Sequence, residues 1–97
     1  MIKFGYRPLP KGITIADSPI NGLGLYTKIK LLPAFILGIT HHCVEHKIIR
    51  TPLGGFINHS DLPNCQLVGN SNTFVVRTIR TIMPGEELTV HYTLEQQ

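Results

Sequence analysis

Three clusters in the chain carry residue types able to do chemistry. In Gly54-Gly55-Phe56-Ile57-Asn58-His59-Ser60-Asp61-Leu62-Pro63-Asn64-Cys65, Asn, His and Ser stand in series beside apolar residues. Buried polar side chains must find partners, so this run is either a hydrogen-bonded structural knot or a shelf for a ligand. In Asn21-Gly22-Leu23-Gly24-Leu25-Tyr26, two closely spaced glycines permit a backbone bend that presents amide groups to a small ligand. An ordinary turn explains the same residues, and with no third glycine and no following helix they are not a dinucleotide-binding fingerprint. In Ile82-Met83-Pro84-Gly85-Glu86-Glu87-Leu88-Thr89-Val90-His91-Tyr92, a Pro-Gly turn feeds an alternating strand. Leu88, Val90 and Tyr92 share one face, so Tyr92 is expected to point inward, as core with a satisfied hydroxyl or as a group aimed into a site.

Other polar residues invite weaker readings. His41-His42-Cys43 with His46 offers imidazole and thiolate, which suit zinc. The spacing matches no standard finger and a polar surface loop accounts for it, so no metal site is expected. His91 falls on the outer face of the last strand and should be solvated. Glu86 and Glu87 are expected to pair with arginines such as Arg77 or Arg80.

The elements that must position these clusters are mostly strands. Ile13 to Ala16 alternates, Asp17-Ser18-Pro19 and Asn21-Gly22 read as turns, and Leu23 to Lys28 as a short strand. Ala34 to Thr40 is an apolar run of strand length, consistent with burial on both faces. His41 to Thr51 is polar and irregular, with room for one helical turn. Gln66-Leu67-Val68 and Thr73 to Thr81 flank Gly69-Asn70-Ser71-Asn72 as a hairpin. No long segment has helical periodicity. An all-β fold of small, curved sheets in a single domain spanning residues 1–97 follows.

Composition sets the outer limits. At 42% apolar and 15% charged residues the chain suits a folded globule rather than disorder. A formal charge of +3 is spread along the chain without a basic run, so no direct nucleic-acid binding is expected. No apolar run is long enough for a signal peptide or a membrane span, and two cysteines make no disulfide framework. A soluble protein of the cytoplasm or nucleus, with free thiols, is the expectation.

In this order the clusters resemble the SET-domain family of protein lysine methyltransferases, over about Ile13 to Tyr92. Gly22-Leu23-Gly24 resembles the family's cofactor-binding glycine motif. Phe56-Ile57-Asn58-His59-Ser60 with Pro63-Asn64-Cys65 is similar to its Asn-His-Ser motif. Gly85-Glu86-Glu87-Leu88-Thr89 followed by Tyr92 is similar to its C-terminal motif. The resemblance implies a β-clip-like fold whose C-terminal segment threads under an earlier loop as a pseudoknot. It implies S-adenosylmethionine as cofactor, contacted by Asn58 and His59, with the backbone from Gly22 through Leu23 and Gly24 to Leu25 holding its amino-acid end. Tyr92 corresponds to the tyrosine at the methyl-transfer site. Phe56, Tyr26 and Leu67 are candidates for the wall of a substrate channel, with core packing as the plainer role.

Methyl transfer from a sulfonium to a neutral lysine amine is an in-line displacement. It calls for alignment rather than a strong acid or base, which agrees with motifs that hold no carboxylate pair and no nucleophile–base pair. The implied partner is a lysine-containing protein, histone-like or otherwise basic. Many family members carry a zinc-binding segment after the tyrosine, whereas Thr93-Leu94-Glu95-Gln96-Gln97 follows it here. The resemblance is thus to small viral, phage or bacterial members, some of which dimerise, and a homodimer or the substrate is expected to close the channel. The contrasting expectation is a SET-like binding or assembly module without activity.

Overall fold

The alternating segments fold as short strands, and their Gly, Pro and Asn punctuation as the turns between them. The computed structural model describes residues 9–91. β1 (Ile13–Asp17) and β2 (Leu23–Thr27) form an antiparallel hairpin running in register from Ile13↔Thr27 to Asp17↔Leu23. β3 (Ile36–Val44), β4 (Lys47–Arg50), α1 (Pro52–Phe56), β5 (Asn58–His59), β6 (Cys65–Gly69), β7 (Thr73–Thr78) and β8 (Glu87–Val90) follow. They build two four-stranded sheets, ordered β1-β2-β8-β5 and β4-β3-β7-β6. The fold is all-β, as the sequence predicts. The β3–β7 register slips between Ile36 and Gly38 and between Ile39 and His41, and such bulges bend a sheet.

One apolar cluster joins both sheets. Ile13, Leu25, Leu37, Leu53, Cys65, Val76, Leu88 and Val90 meet in it, and Leu25, Val76, Leu88 and Val90 are fully buried. Side chains of this size contribute roughly 1.5–3 kcal/mol each on burial. Burial pushes the Cys65 thiol up to about 12, which removes it as a nucleophile at neutral pH. Cys43 and Cys65 are both free thiols.

Two segments depart from expectation. The apolar run after Ala34 is not buried on both faces: Leu37 and Thr40 are buried, while Ile36 and Ile39 are 55% and 40% exposed. Antiparallel sheets tolerate one solvated face. The stretch from His41 to Thr51 is not irregular either, because it continues β3 and returns as β4. Val44 pairs with Lys47 across Glu45-His46, whose φ angles are 49° and 67°. Two left-handed residues make a type I′ hairpin turn, usually announced by Asn-Gly; Glu-His carries no such signal. The helical turn comes afterwards. Thr51 caps α1 by accepting from the Gly54 amide at 3.3 Å, and Pro52 opens the helix.

Candidate functional site

β8 lies between two segments distant from it in sequence. On one side it pairs antiparallel with β2 through Leu25↔Leu88 and Tyr26↔Glu87. On the other it pairs parallel with β5 through Asn58↔Thr89 and His59↔Val90, continued by the Ser60 amide donating to the Val90 carbonyl at 2.9 Å. Asn64, almost fully buried, extends this side by acting as a piece of strand backbone. Its Nδ2 donates to the Glu87 carbonyl at 2.8 Å, and its Oδ1 accepts from the Thr89 amide at 2.9 Å. The crossing of the Asn-His-Ser run with the C-terminal motif is therefore present. Tyr92, and any threading past His91, lies outside the described residues.

The Asn58 side chain is the node of the arrangement. Its Nδ2 lies 3.1 Å from Ser18 Oγ, 3.2 Å from the Asn21 carbonyl, 3.1 Å from the Leu23 carbonyl and 2.9 Å from Glu87 Oε2. An amide nitrogen has two hydrogens, so acceptors outnumber donors. Ser18 Oγ adds one proton, directed at the Glu87 carboxylate at 2.8–2.9 Å, and itself accepts from the Ile20 amide at 3.0 Å. An acceptor-rich cluster with a carboxylate suits a cationic donor, such as an ammonium group.

The glycine segment is shaped to this cluster. Gly22 sits at φ 48°, in the left-handed region that favours glycine. Gly24 is buried, and a Cβ there would strike the Glu87 carboxylate and approach Asn58 Nδ2 at 3.1 Å. Leu23 is half exposed and contributes its carbonyl to Asn58. Leu25 is fully buried with paired strands on both sides, so it supports the segment from beneath. The Tyr26 hydroxyl donates to the Asp17 carbonyl at 2.7 Å, and burial together with the Glu87 carboxylate raises its pKa.

The remaining expected residues are placed apart from this node. Adjacent strand residues face opposite ways: Asn58 turns to the glycine segment, while the exposed His59 ring lies 4.6 Å from that of His91 and 3.3 Å from Asp61 Oδ1. His91 is exposed, as expected. Phe56 and Leu67 are half-buried against the core. Glu86 does pair with Arg80, at 3.1 Å, and the Met83 amide with that guanidinium lowers its carboxyl pKa. Glu87 does not follow that expectation, because the β2–β8 pairing turns it to Ser18 and Asn58 instead. Ser18 and Glu87 are the residues of this cluster that sequence reasoning missed. Ser18 reads as a turn residue, and no local pattern links it to Glu87.

Comparison with known proteins agrees with this architecture. A family model described as SET domain matches residues 9–93, and the chain belongs to the SET-domain family. It is 38% identical over 39 residues to a Caenorhabditis elegans protein named histone-lysine N-methyltransferase Suv4-20, covering 40% of this chain and 14% of that protein. The chain thus spans a small part of that relative's length. A solved Plasmodium falciparum structure, described as a candidate histone methyltransferase, superposes with a TM-score of 0.73 at 21% identity. It covers 88% of this chain and 96% of its own, and shows the same fold. Among the described residues, no helix is long and apolar enough to cross a membrane.

Proposed function

We propose that this chain is a protein-lysine N-methyltransferase using S-adenosylmethionine. The observation that carries the reading is the convergence of Asn58, Glu87, Ser18 and the Asn21 and Leu23 carbonyls over a glycine whose side chain would fill the space. That set fits the amino-acid end of the cofactor, whose ammonium needs acceptors. Gly22, Leu23 and Gly24 would hold it with Asn58, Leu25 would support them, and His59 would contribute through its backbone. S-adenosylmethionine supplies, when bound, an electrophilic methyl group on a sulfonium.

The chain's own task is alignment. The lysine amine must arrive neutral, and holding it in line at near-attack distance contributes about 7–11 kcal/mol in favourable cases. The Tyr92 hydroxyl is assigned to orient that amine. Phe56, Tyr26 and Leu67 would wall the channel, and an aromatic face there would favour the charge arriving on nitrogen by roughly 0.5–2 kcal/mol. The substrate is a lysine-bearing protein, histone-like or another basic one, met in the cytoplasm or nucleus. A second copy of the chain is proposed to close the channel, which sedimentation at micromolar concentration would show as a dimer.

Thermal unfolding with S-adenosylhomocysteine is the first test, since a ligand of the native state raises stability by mass action. The wild type should shift upward and Asn58→Ala should not. Tyr92→Phe should keep the shift but lose transfer of labelled methyl to a histone mixture. An absent shift, with no labelled product from the wild type, would leave a binding or assembly module in place of an enzyme.

A further inference from the structure

We propose that His59, Asp61 and His91 form a surface site for a divalent transition-metal cation, with Zn2+ as the representative ion. Each residue is exposed and offers one ligand atom, and the three atoms lie within 4.8 Å of one another. Among the described residues, no such group forms from His41, His42, Cys43 and His46, the segment whose composition first invites a metal.

The fold, not the sequence, makes the site. His59 ends β5 and His91 directly follows β8, and these strands are held in parallel register by His59↔Val90 and by the Ser60–Val90 bond at 2.9 Å. The two rings lie 4.6 Å apart between centroids, tilted by 46°. Asp61 stands in a turn closed by the Leu62 amide on Ser60 Oγ at 3.0 Å, and its carboxylate lies 3.3 Å from His59 Nε2. Strand pairing thus sets residues 59 and 91 side by side with Asp61 in the adjoining turn, and side-chain rotation would complete a site.

Donor chemistry selects the ion. Two imidazoles with one carboxylate suit Zn2+, Ni2+ or Cu2+, whereas Mg2+ and Ca2+ take oxygen ligands. Zinc bonds of about 2.0–2.2 Å bring ligand atoms to roughly 3.3 Å spacing in a tetrahedron, a closure that exposed side chains make by rotation. Further coordination falls to water or to a group on a docked protein. A bound ion would clip residue 59 to residue 91 and so brace the strand pair that carries Asn58. His91 and Asp61 take no part in the Asn58 cluster, so this site is tested independently of the cofactor reading.

Calorimetric titration of the full chain with Zn2+ should give one ion per chain. His91→Ala should weaken binding by at least about tenfold, the lower end of what loss of even an outer-shell partner costs, and Asp61→Asn should weaken it too. Zn2+ should raise the melting temperature of the wild type and not that of His91→Ala. His91→Ala should still unfold cooperatively on heating without metal, which shows the variant folded. Cys43→Ser and His42→Ala should bind Zn2+ as the wild type does. Wild-type affinity in His91→Ala, or loss of binding in Cys43→Ser or His42→Ala, would overturn the assignment.

Discussion

Two regions of the molecule are stabilised to different degrees by long-range ties. Around β8, residues far apart in sequence are tied together: Ser18 bonds to Glu87 across 69 positions and Asn58 to Ser18 across 40. Beneath those ties Leu25, Leu88 and Val90 are fully buried. The β3–β4 hairpin closes on itself through a two-residue turn, and Val44, Ile48 and Ile49 on it are about half exposed. A site that must hold several groups in fixed geometry needs the first kind of construction, because long-range ties over a dry core leave no low-energy local opening. Its outer strand β4 stands at the edge of its sheet, paired with β3 among the described residues, so changes on β4 should stay local.

Mutations in the two regions should separate this contrast, and the largest effect is expected in the core beneath the ties. Leu88→Ala should cost about 2–5 kcal/mol in chemical denaturation, the range for truncating a fully buried leucine. Gly24→Ala should come next. Its methyl meets the Glu87 carboxylate and the Asn58 amide, so about 1–3 kcal/mol should be lost together with the thermal response to S-adenosylhomocysteine. An unchanged response would mean that the cluster is not the cofactor-holding element.

Asn64→Ala should cost a similar amount through a different route. It removes the side-chain partner of the Glu87 carbonyl and the Thr89 amide, and leaving buried polar groups unsatisfied costs about 1–3 kcal/mol. A smaller effect is expected from pH. The Glu86 carboxyl is held low by the Met83 amide and by Arg80. Its contribution is therefore present above the ordinary carboxylate pKa and is lost as pH falls through the lower folded value. Glu86→Gln should flatten the acid side of the melting-temperature profile slightly, since exposed pairs contribute little. Smallest of all, Ile48→Thr and Ile49→Thr should each change stability by no more than about 0.5 kcal/mol. A larger loss in dilute solution would show that the hairpin face is covered.

Much of the fold was legible in the chain. Alternation marked β1 and β8, because each residue's polarity records the face it occupies, and the turn residues around them delimited β2 and β7. Pro-Gly and Gly-Asn-Ser-Asn marked the turns after residue 83 and between β6 and β7. The β3–β4 hairpin was not legible, since its turn uses Glu45 and His46 in left-handed conformations that those residue types do not announce. The motif residues Gly22, Gly24 and Asn58 could be named from the chain, and the structure brings them together. Ser18 and Glu87 could not, because one looks like turn punctuation and the other like a surface charge.

From sequence alone came the strand-rich class, the order of the motifs and the family they resemble. Only the tertiary structure decided that Asn58 faces the glycine segment, that Asn64 stands in for strand backbone, and that His59 meets Asp61 and His91 on the opposite side. Periodicity encodes which way a side chain points relative to its neighbours in the chain. Which partner it meets depends on where distant strands cross, and here two parallel pairs, Asn58↔Thr89 and His59↔Val90, set both faces of the site at once.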